Sequence, residues 1–364
     1  MFRFRDFFSR SYSKIALIAL LAAWGESGCS TATSPPTAAV VPTLTGTNYP
    51  LLSVFPIGGI AVGSDRNLWF GTCPFGGMMK ITTSGQISSY ALSGGVTRCP
   101  QWVTLASDGA IWFTEIDVDH GGTLAQLGRI DVSGNITEFA LPAGDEPIGI
   151  TSGKDGNLWY DADNPSFNSN FFVRGFSATT HTIVGSLAVT LQSQVYDFSN
   201  SVVTNPADGN IIVSGGNPVF RLIPGTNPTI AGNIALPANC GTASIGADAN
   251  FYFQCPNSVF ARVSQTSYSV TTVSERLPFK GEATYSGPMF QGSSGILYTS
   301  GGYSLENGPF TGILALASGG AVTGYYPSDM HDHAVQGVAG PDGATWITIQ
   351  NDEGQDAVLT RINP

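Results

Sequence analysis

The chain has 364 residues and a formal net charge of −11 at pH 7, and only 11% of its residues are charged. No basic stripe follows residue 28, which excludes nucleic acid and anionic lipid surfaces as binding partners. Gly (45) and Pro (22) are frequent, and no long apolar repeat has helical spacing, so many short strands and few helices are predicted.

The first 28 residues have the pattern of a signal peptide. Four basic residues precede the apolar run 15–24, which is shorter than the ~20 residues that a membrane-spanning helix needs. Ser27 and Gly28 precede Cys29 as in a bacterial lipobox, so Cys29 is the expected site of lipid attachment. Cleavage without lipidation and a retained anchor are the alternatives. Loss of residues 1–28 removes four basic and two acidic charges, which takes the net charge from −11 to −13.

Two further segments follow the signal peptide. Residues 29–45 are rich in Ser, Thr, Pro and Ala and are expected to form a flexible tether. Residues 46–364 are expected to form one domain. We therefore expect an exported lipoprotein of the cell envelope, on its periplasmic or extracellular face. It would be a monomer that touches the membrane only through its N-terminal lipid or anchor.

One turn pattern recurs throughout the domain. The stretch "SDGAIWFTE" at residues 107–115 has near-copies at 64–72, 154–162 and 341–349. Alignment on the turn residue gives seven units, spaced by 40 to 53 residues, at Asp65, Asp108, Asp155, Asp208, Asp248, Ser294 and Asp342. This period, with several short strands per unit, is typical of propeller blades. The sequence therefore predicts an all-β, seven-bladed β-propeller.

The turn residues have predictable roles in such a blade. Gly supplies a positive φ in the tight hairpin between the two innermost strands, and Asp bonds the local backbone. The following Trp residues are expected to pack against the next blade: Trp69, Trp112, Trp159 and Trp346. The last unit lacks a fourth strand, and residues 47–56 match the missing one, so the N-terminal strand should complete the last blade.

Four cysteines follow Cys29. Cys240 and Cys255 lie on either side of the turn in unit five, and Cys73 and Cys99 fall at strand ends on one propeller face. In an exported protein this predicts the disulfides Cys73–Cys99 and Cys240–Cys255. Zinc binding would need Cys-x-x-Cys spacing, which is absent.

The stretch "LGRIDVSGNITEFALPAGDEPIGITSGKDGNLWY", residues 127–160, resembles the repeat of the streptogramin B lyases, the virginiamycin B lyase family. The resemblance implies a seven-bladed propeller. It also implies a metal-assisted elimination that breaks the ester C–O bond of a cyclic depsipeptide antibiotic.

The family pattern carries its chemistry on one blade. There a Glu-x-His motif begins the inner strand and a second Glu follows fourteen residues after the His, so that the carboxylates hold Mg²⁺ and the His is the general base. No unit here has the complete set: the three equivalent positions are Cys99, Gln101 and Glu115 in unit two, Glu146, Ile148 and Ala162 in unit three, and His333, Val335 and Ile349 in unit seven. A lyase would need Glu115, with His120 or His333, to take over the metal and base roles from displaced positions.

The same face is rich in acidic residues and histidines, which could line a central mouth. If this mouth binds a divalent cation, Mg²⁺ or Ca²⁺, its ligands are expected among Glu115, Asp117, Glu146, Asp161, His331 and His333. The alternative is a solvated acidic rim. Because the base position is never His, the sequence favours a propeller that binds a small molecule or a protein at its mouth, with a metal-dependent carbon–oxygen lyase as the alternative.

Overall fold

The computed structural model describes sixteen stretches of the chain, all within the compact unit Val40–Pro364. They are residues 42–52, 55–73, 77–117, 125–164, 170–190, 193–194, 201–214, 216–237, 240–241, 243–246, 248–255, 259–274, 281–305, 308–327, 332–351 and 356–363. The expected signal peptide, Cys29 and the tether up to residue 41 lie outside them. None of the helices in these stretches is both long and apolar enough to cross a membrane.

Seven four-stranded antiparallel sheets make up the described fold, which confirms the predicted seven-bladed propeller. Blade 1 contains β2 (Phe55–Val62), β3 (Leu68–Cys73), β4 (Gly77–Ile81) and β5 (Ile87–Ala91). Blade 2 contains β6 (Arg98–Leu105), β7 (Ile111–Asp117), β8 (Gln126–Ile130) and β9 (Ile136–Ala140). Blade 3 contains β10 (Glu146–Ser152), β11 (Leu158–Asn164), β12 (Asn170–Phe176) and β13 (Ile183–Thr190).

The remaining blades follow the same plan. Blade 4 contains β15 (Val202–Thr204), β16 (Ile211–Val213), β18 (Val219–Ile223) and β19 (Thr229–Ile234), with a separate ribbon of β14 (Ser193–Gln194) and β17 (Gly216–Asn217). Blade 5 contains β20 (Ala243–Ile245), β21 (Asn250–Cys255), β22 (Val259–Ser264) and β23 (Val270–Ser274). Blade 6 contains β24 (Gly281–Gln291), β25 (Leu297–Leu305), β26 (Gly308–Leu316) and β27 (Val322–Pro327). Two short 3-10 turns, Gly95–Thr97 and Ser293–Gly295, are described outside the strands.

Blade 7 combines both ends of the domain. It contains β28 (Asp332–Ala339), β29 (Thr345–Asn351), β30 (Asp356–Ile362) and, as its outer strand, β1 (Gly46–Leu52). The predicted ring closure is thus confirmed. The strand that closes the ring is shorter than the expected range of 47–56. It ends at Leu52, and Phe55 pairs in register with Cys73 and so belongs to blade 1. Residues 42–44 also run beside β27, where Leu44 N–H donates to Tyr325 O at 2.7 Å.

The repeated turn has the predicted geometry. Gly109, Gly156 and Gly343 have φ of 78°, 79° and 80°, the left-handed region in which glycine is least strained. The turn carboxylate also accepts a hydrogen bond from the indole of the Trp four residues later, as in Asp65–Trp69 at 3.1 Å. All four turn Trp side chains are at most 1% exposed.

Each turn Trp packs against the next blade, as predicted. Trp112 lies in one cluster with Ile150 and Tyr160 of blade 3, and Trp346 lies in another with Leu68 and Phe70 of blade 1. These indoles therefore help to bury the interfaces between successive sheets.

The third strand of several blades adds a cation to this arrangement. Arg129 and Arg361 each donate from Nε to the turn carboxylate of their own blade at 2.7 Å. These residues stand in register opposite Trp112 and Trp346. In blade 6, where Ser294 replaces the turn Asp, Ala315 stands at the position of the cation. In blade 6 both members of the pair are therefore replaced, whereas blade 3 keeps the turn Asp155 with Gly175 at the position of the cation.

We name the two ends of the ring by their residues. The turn face carries the turn residues such as Asp108, and the mouth face carries the starts of the inner strands and the ends of the second strands, such as Arg98 and Asp117. Blade 6 is taller at the mouth face. Its β25–β26 ladder has nine residue pairs, from Leu297↔Leu316 to Leu305↔Gly308, whereas the β7–β8 ladder has five. Within the described residues the second strand is two residues longer in blade 6, nine in β25 against seven in β7, which at ~3.3 Å per residue is about 7 Å.

Candidate functional site

Two disulfides lie at the mouth face. Cys73, at the end of β3, is bonded to Cys99, near the start of β6, and Cys240 is bonded to Cys255, at the end of β21. Both predicted pairings are confirmed. The first bond joins blade 1 to blade 2 and the second lies within blade 5, so strand ends are cross-linked at two places on this face.

A cluster of charged residues lies next to the first disulfide. Arg98 begins β6, one residue before Cys99, and pairs in register with Asp117 at the end of β7. Its Nη1 lies 3.2 Å from Glu115 Oε1, and its Nε lies 3.6 Å from Asp117 Oδ2. We call Arg98, Glu115 and Asp117 the Arg98 cluster.

The position of the Arg98 cluster follows from the alternation of side chains along β7. Phe113 packs with Trp69 and Met78 of blade 1. Glu115 and Asp117 are two and four residues further along the strand, so they lie on the same side of the sheet. The cluster is therefore located between blades 1 and 2, at the mouth face.

Glu115 is the most buried acid of the cluster, with 0% of its side chain exposed. Burial raises the pKa of Glu115 from 4.5 to about 8, with Glu138 and Asp117 adding to the rise and Arg98 opposing it. Neither carboxyl oxygen has a hydrogen-bond partner within the described part of the chain, and the same holds for Oε1 of Gln126, its neighbour on β8. At neutral pH Glu115 is therefore largely protonated.

Glu138, whose charge contributes to this rise in pKa, also holds the end of blade 1. Its Oε1 accepts a hydrogen bond from Ser93 N–H at 2.9 Å, and Oε2 accepts one from the Ser93 hydroxyl. Ser93 follows β5 and precedes the turn that leads to Arg98. Glu138 thus fixes the segment that carries Arg98 into blade 2.

Asp161, one of the candidate metal ligands, contacts the backbone of its own blade. Its Oδ1 accepts a hydrogen bond from Gly149 N–H at 2.7 Å, inside a bulge of the inner strand β10. Thr114 and Thr348 make the equivalent contacts in blades 2 and 7, to the amides of Trp102 and Gln336. Asp161 is fully buried and stabilises the bulged backbone of blade 3.

The other candidates are dispersed or lie outside the described residues. Glu146 is half-buried at the start of β10 and pairs in register with Asp163. His333 is the second residue of β28, opposite Gln350, but its side chain is not among those described. His120 and His331 fall outside the described residues. Within the described residues, no three His, Cys, Asp or Glu side chains are grouped so that they could hold a metal ion.

Two charged groups near this site were missed from the sequence. One is the Arg98 cluster itself, whose only signal was a lone arginine beside Cys99. The other is centred on Asp145, which is buried just before β10 and accepts hydrogen bonds from Arg174 Nε at 2.6 Å and Nη2 at 2.9 Å. Tyr160 also donates to it at 3.4 Å. Finding either pair requires the strand register, which single-sequence patterns do not supply.

Comparison with known proteins agrees with this architecture. Residues 43–165 match the model of the virginiamycin B lyase family. No curated protein sequence gives a match.

Among solved structures, a streptogramin B lyase is similar with a TM-score of 0.62 and 17% identity, over 88% of this chain and 98% of that chain. The selenomethionine-substituted virginiamycin B lyase from Staphylococcus aureus is similar with a TM-score of 0.59 and 18% identity, over 88% and 100%. YCF48 bound to D1 peptide gives a TM-score of 0.61 at 11% identity, over 91% and 100%. At these identities the likeness is one of fold. The chain is a virginiamycin B lyase-like seven-bladed β-propeller whose match to the family model lies in residues 43–165.

Proposed function

We propose that this protein is an exported binding propeller of the cell envelope, which takes a peptide or protein segment at its mouth face and does not catalyse the lyase reaction. The observation that carries the proposal is the contact between Glu115 and Arg98, whose Oε1 and Nη1 atoms lie 3.2 Å apart. It engages the one acid of blade 2 that stands at a metal-ligand position of the family pattern.

The residues at the other family positions argue in the same direction. Gln101 stands where the pattern has the general base, and an amide cannot accept the proton of an elimination at neutral pH. Cys99, at the position of the first carboxylate, is committed to the disulfide with Cys73. Mg²⁺ prefers several oxygen ligands, and the two carboxyl groups of the Arg98 cluster both face a guanidinium instead. The described residues of blade 2 therefore do not fit the metal, and no step is assigned to it.

Two features of the mouth face favour binding. The disulfides cross-link strand ends there, which limits the entropy lost when a partner is bound. Blade 6 extends about 7 Å beyond the described part of blade 2, so the face has a wall on one side of the ring. Propellers of this fold can hold peptides, since YCF48 is described as bound to the D1 peptide. A small molecule at the same mouth is the alternative ligand.

Export and lipid attachment are part of the proposal. They rest on the signal-peptide pattern of residues 1–28 and on the two disulfides, which form in oxidising compartments. Replacement of Cys29 by Ala should release the protein from membranes into the soluble fraction of the envelope. Retention of the Cys29→Ala protein on membranes would instead indicate an uncleaved anchor at residues 15–24.

The absence of lyase activity is directly testable. The purified chain would be incubated with a streptogramin B antibiotic and excess Mg²⁺, and ring opening would be followed by chromatography, because elimination leaves the mass unchanged. We expect no product, from the wild type or from Glu115→Gln. Mg²⁺-dependent ring opening by the wild type that Glu115→Gln abolishes would establish the lyase instead.

Binding can be located by photo-crosslinking in envelope extracts. A crosslinking side chain would be placed at Tyr303, in the extension of blade 6, and at Ser133, in an outer hairpin on the turn face, as the matched control. We expect a discrete adduct from position 303 alone. The same adducts from both positions, or none from either, would contradict a partner at the mouth face.

A further inference from the structure

We infer that the guanidinium of Arg98 occupies the place of a divalent cation beside Glu115 and Asp117, so that this chain closes a cation site with its own side chain. The inference rests on the proposed function, which it deepens by explaining why the mouth face of blade 2 needs no metal. It concerns Arg98 alone and can fail without affecting ligand binding elsewhere on the face.

The geometry places Arg98 between the two acids. Its Nη1 lies 3.2 Å from Glu115 Oε1 and its Nε lies 3.6 Å from Asp117 Oδ2, so one planar group reaches both carboxyl groups. The Arg98 side chain is 12% exposed, and those of Glu115 and Asp117 are 0% and 4% exposed. The positive charge is therefore largely shielded from water, together with the acids that it faces.

The backbone around Arg98 is shaped to keep it there. Cys99, the next residue, is fixed by its disulfide to blade 1. Gly94 lies against the Arg98 side chain so closely that a Cβ at that position would overlap its Cγ and Nε atoms. Glu138 fixes the preceding segment through Ser93. The guanidinium is thus held from both directions along the chain.

Arg98 and a divalent cation exclude each other at this site. Ca²⁺ or Mg²⁺ would need to lie about 2.0–2.6 Å from the carboxyl oxygens. The guanidinium nitrogens already lie within 4 Å of those oxygens, so a metal ion would come within a few ångströms of a like charge in a buried place. Removal of Arg98 takes away the positive charge that faces Glu115 and Asp117, so that their oxygens could then approach a metal ion.

The test is the thermal unfolding of full mature protein with Mg²⁺ or Ca²⁺, compared with NaCl of equal ionic strength. For the wild type we expect no rise in Tm with divalent cations beyond that in NaCl. Arg98→Met should unfold at lower temperature without metal, because it removes the positive charge that faces two buried carboxyl groups, and its Tm should rise with divalent cations to a plateau. Arg129→Met, which removes a cation on the turn face, should be destabilised without gaining a response to divalent cations.

Two further variants keep the inference testable if Arg98→Met does not fold. Arg98→Gln retains hydrogen-bond donors but removes the charge, and it should gain the same response to divalent cations. Arg98→Met/Glu115→Gln should lose that response, because the Gln amide cannot ionise to bind the cation as the Glu115 carboxyl can. A wild-type Tm that rises with divalent cations as much as that of Arg98→Met overturns the inference, as does a folded Arg98→Met or Arg98→Gln protein without a response. Streptogramin ring opening by the wild type would refute the proposed function separately.

Discussion

Arg361 donates a hydrogen bond from Nε to Oδ2 of Asp342 at 2.7 Å, and Oδ1 of the same carboxylate accepts one from the Trp346 indole at 3.1 Å. A turn residue, a buried ring and a third-strand cation are thus joined within one blade. Burial alone would raise the pKa of Asp342, but the hydrogen bonds from Trp346 and Arg361 lower it below its usual value. The carboxylate is therefore charged and paired at neutral pH.

Asp342→Ala should lower the free energy of unfolding by about 2–3 kcal/mol, because it removes a charged acceptor with three donors, Arg361, Trp346 and the Ala344 N–H. Asp155→Ala is the matched comparison. In blade 3 Gly175 stands opposite Trp159 where other blades have a cation. There the Asn157 side chain donates to Asp155 Oδ2 instead, so the loss from Asp155→Ala should be smaller by about 0.2–1 kcal/mol, the value of a charged over a neutral donor. Urea unfolding followed by tryptophan fluorescence would measure both, and equal losses would show that Arg361 contributes no more to stability than a neutral amide does.

Glu115 should give stability an unusual pH dependence. Its pKa is raised from 4.5 to about 8 in the folded protein, so its stabilising contribution is complete below the unfolded value and is lost as pH rises through about 8. Glu115→Gln cannot ionise, so the Tm of the wild type should fall relative to that of the variant between about pH 5 and about pH 8. Differential scanning calorimetry across this range would measure the difference.

Asp131→Asn is the control for this pH series. The pKa of Asp131 is lowered, chiefly by hydrogen bonds from Asn135, so its contribution to stability is present above the usual value of 3.8 and is lost only at more acidic pH. From about pH 5 to about pH 8 the Tm profile of Asp131→Asn should run parallel to that of the wild type. A Glu115→Gln profile that is also parallel would mean that Glu115 remains ionised in the folded protein.

The disulfides should contribute measurably to stability. Loss of Cys240–Cys255 through the double substitution to Ser should lower the free energy of unfolding by about 2–4 kcal/mol, since its loop spans a sequence separation of 15 residues. Loss of Cys73–Cys99, whose sequence separation is 26 residues, should lower the free energy of unfolding slightly more, because a longer loop has more entropy to lose on closure. Guanidinium unfolding of both double variants, with a non-reduced peptide map to confirm the native pairs, would test this. If both double variants were as stable as the wild type, the disulfides would not restrict the strand ends at the mouth face as proposed.

The sequence was sufficient for features that depend on local patterns. The Asp-Gly turn and its Trp recur at a regular period, so the number of blades and the packing of Trp112 against blade 3 could be predicted. The pairing of Cys240 with Cys255 followed because both lie at similar distances from one turn.

Features that depend on strand register could not be predicted in this way. Arg98 meets Glu115 only because a bulge in β6 sets which residues of β7 it faces. Asp161, grouped with the acids of the mouth by its charge, instead binds a backbone amide in such a bulge. The extra height of blade 6 also depends on pairing between β25 and β26, which no turn signal marks.

The N-terminal segment closes the ring, and two truncations should separate its contributions. Residues 42–45 make three backbone hydrogen bonds: Leu44 N–H to Tyr325 O, Tyr325 N–H to Pro42 O, and Asn363 N–H to Thr45 O. A chain that begins at residue 46 loses these bonds but keeps β1, so it should remain folded and monomeric with a modestly lower Tm.

A chain that begins at residue 53 also loses the pairing of β1 with β30 and the stacking of Tyr49 on Trp346, whose ring centroids lie 5.5 Å apart. It exposes β30 as an edge strand, which favours aggregation. Size-exclusion chromatography with light scattering should show a monomer for the first chain and aggregates for the second, and a stable monomer from both would mean that three strands suffice for blade 7.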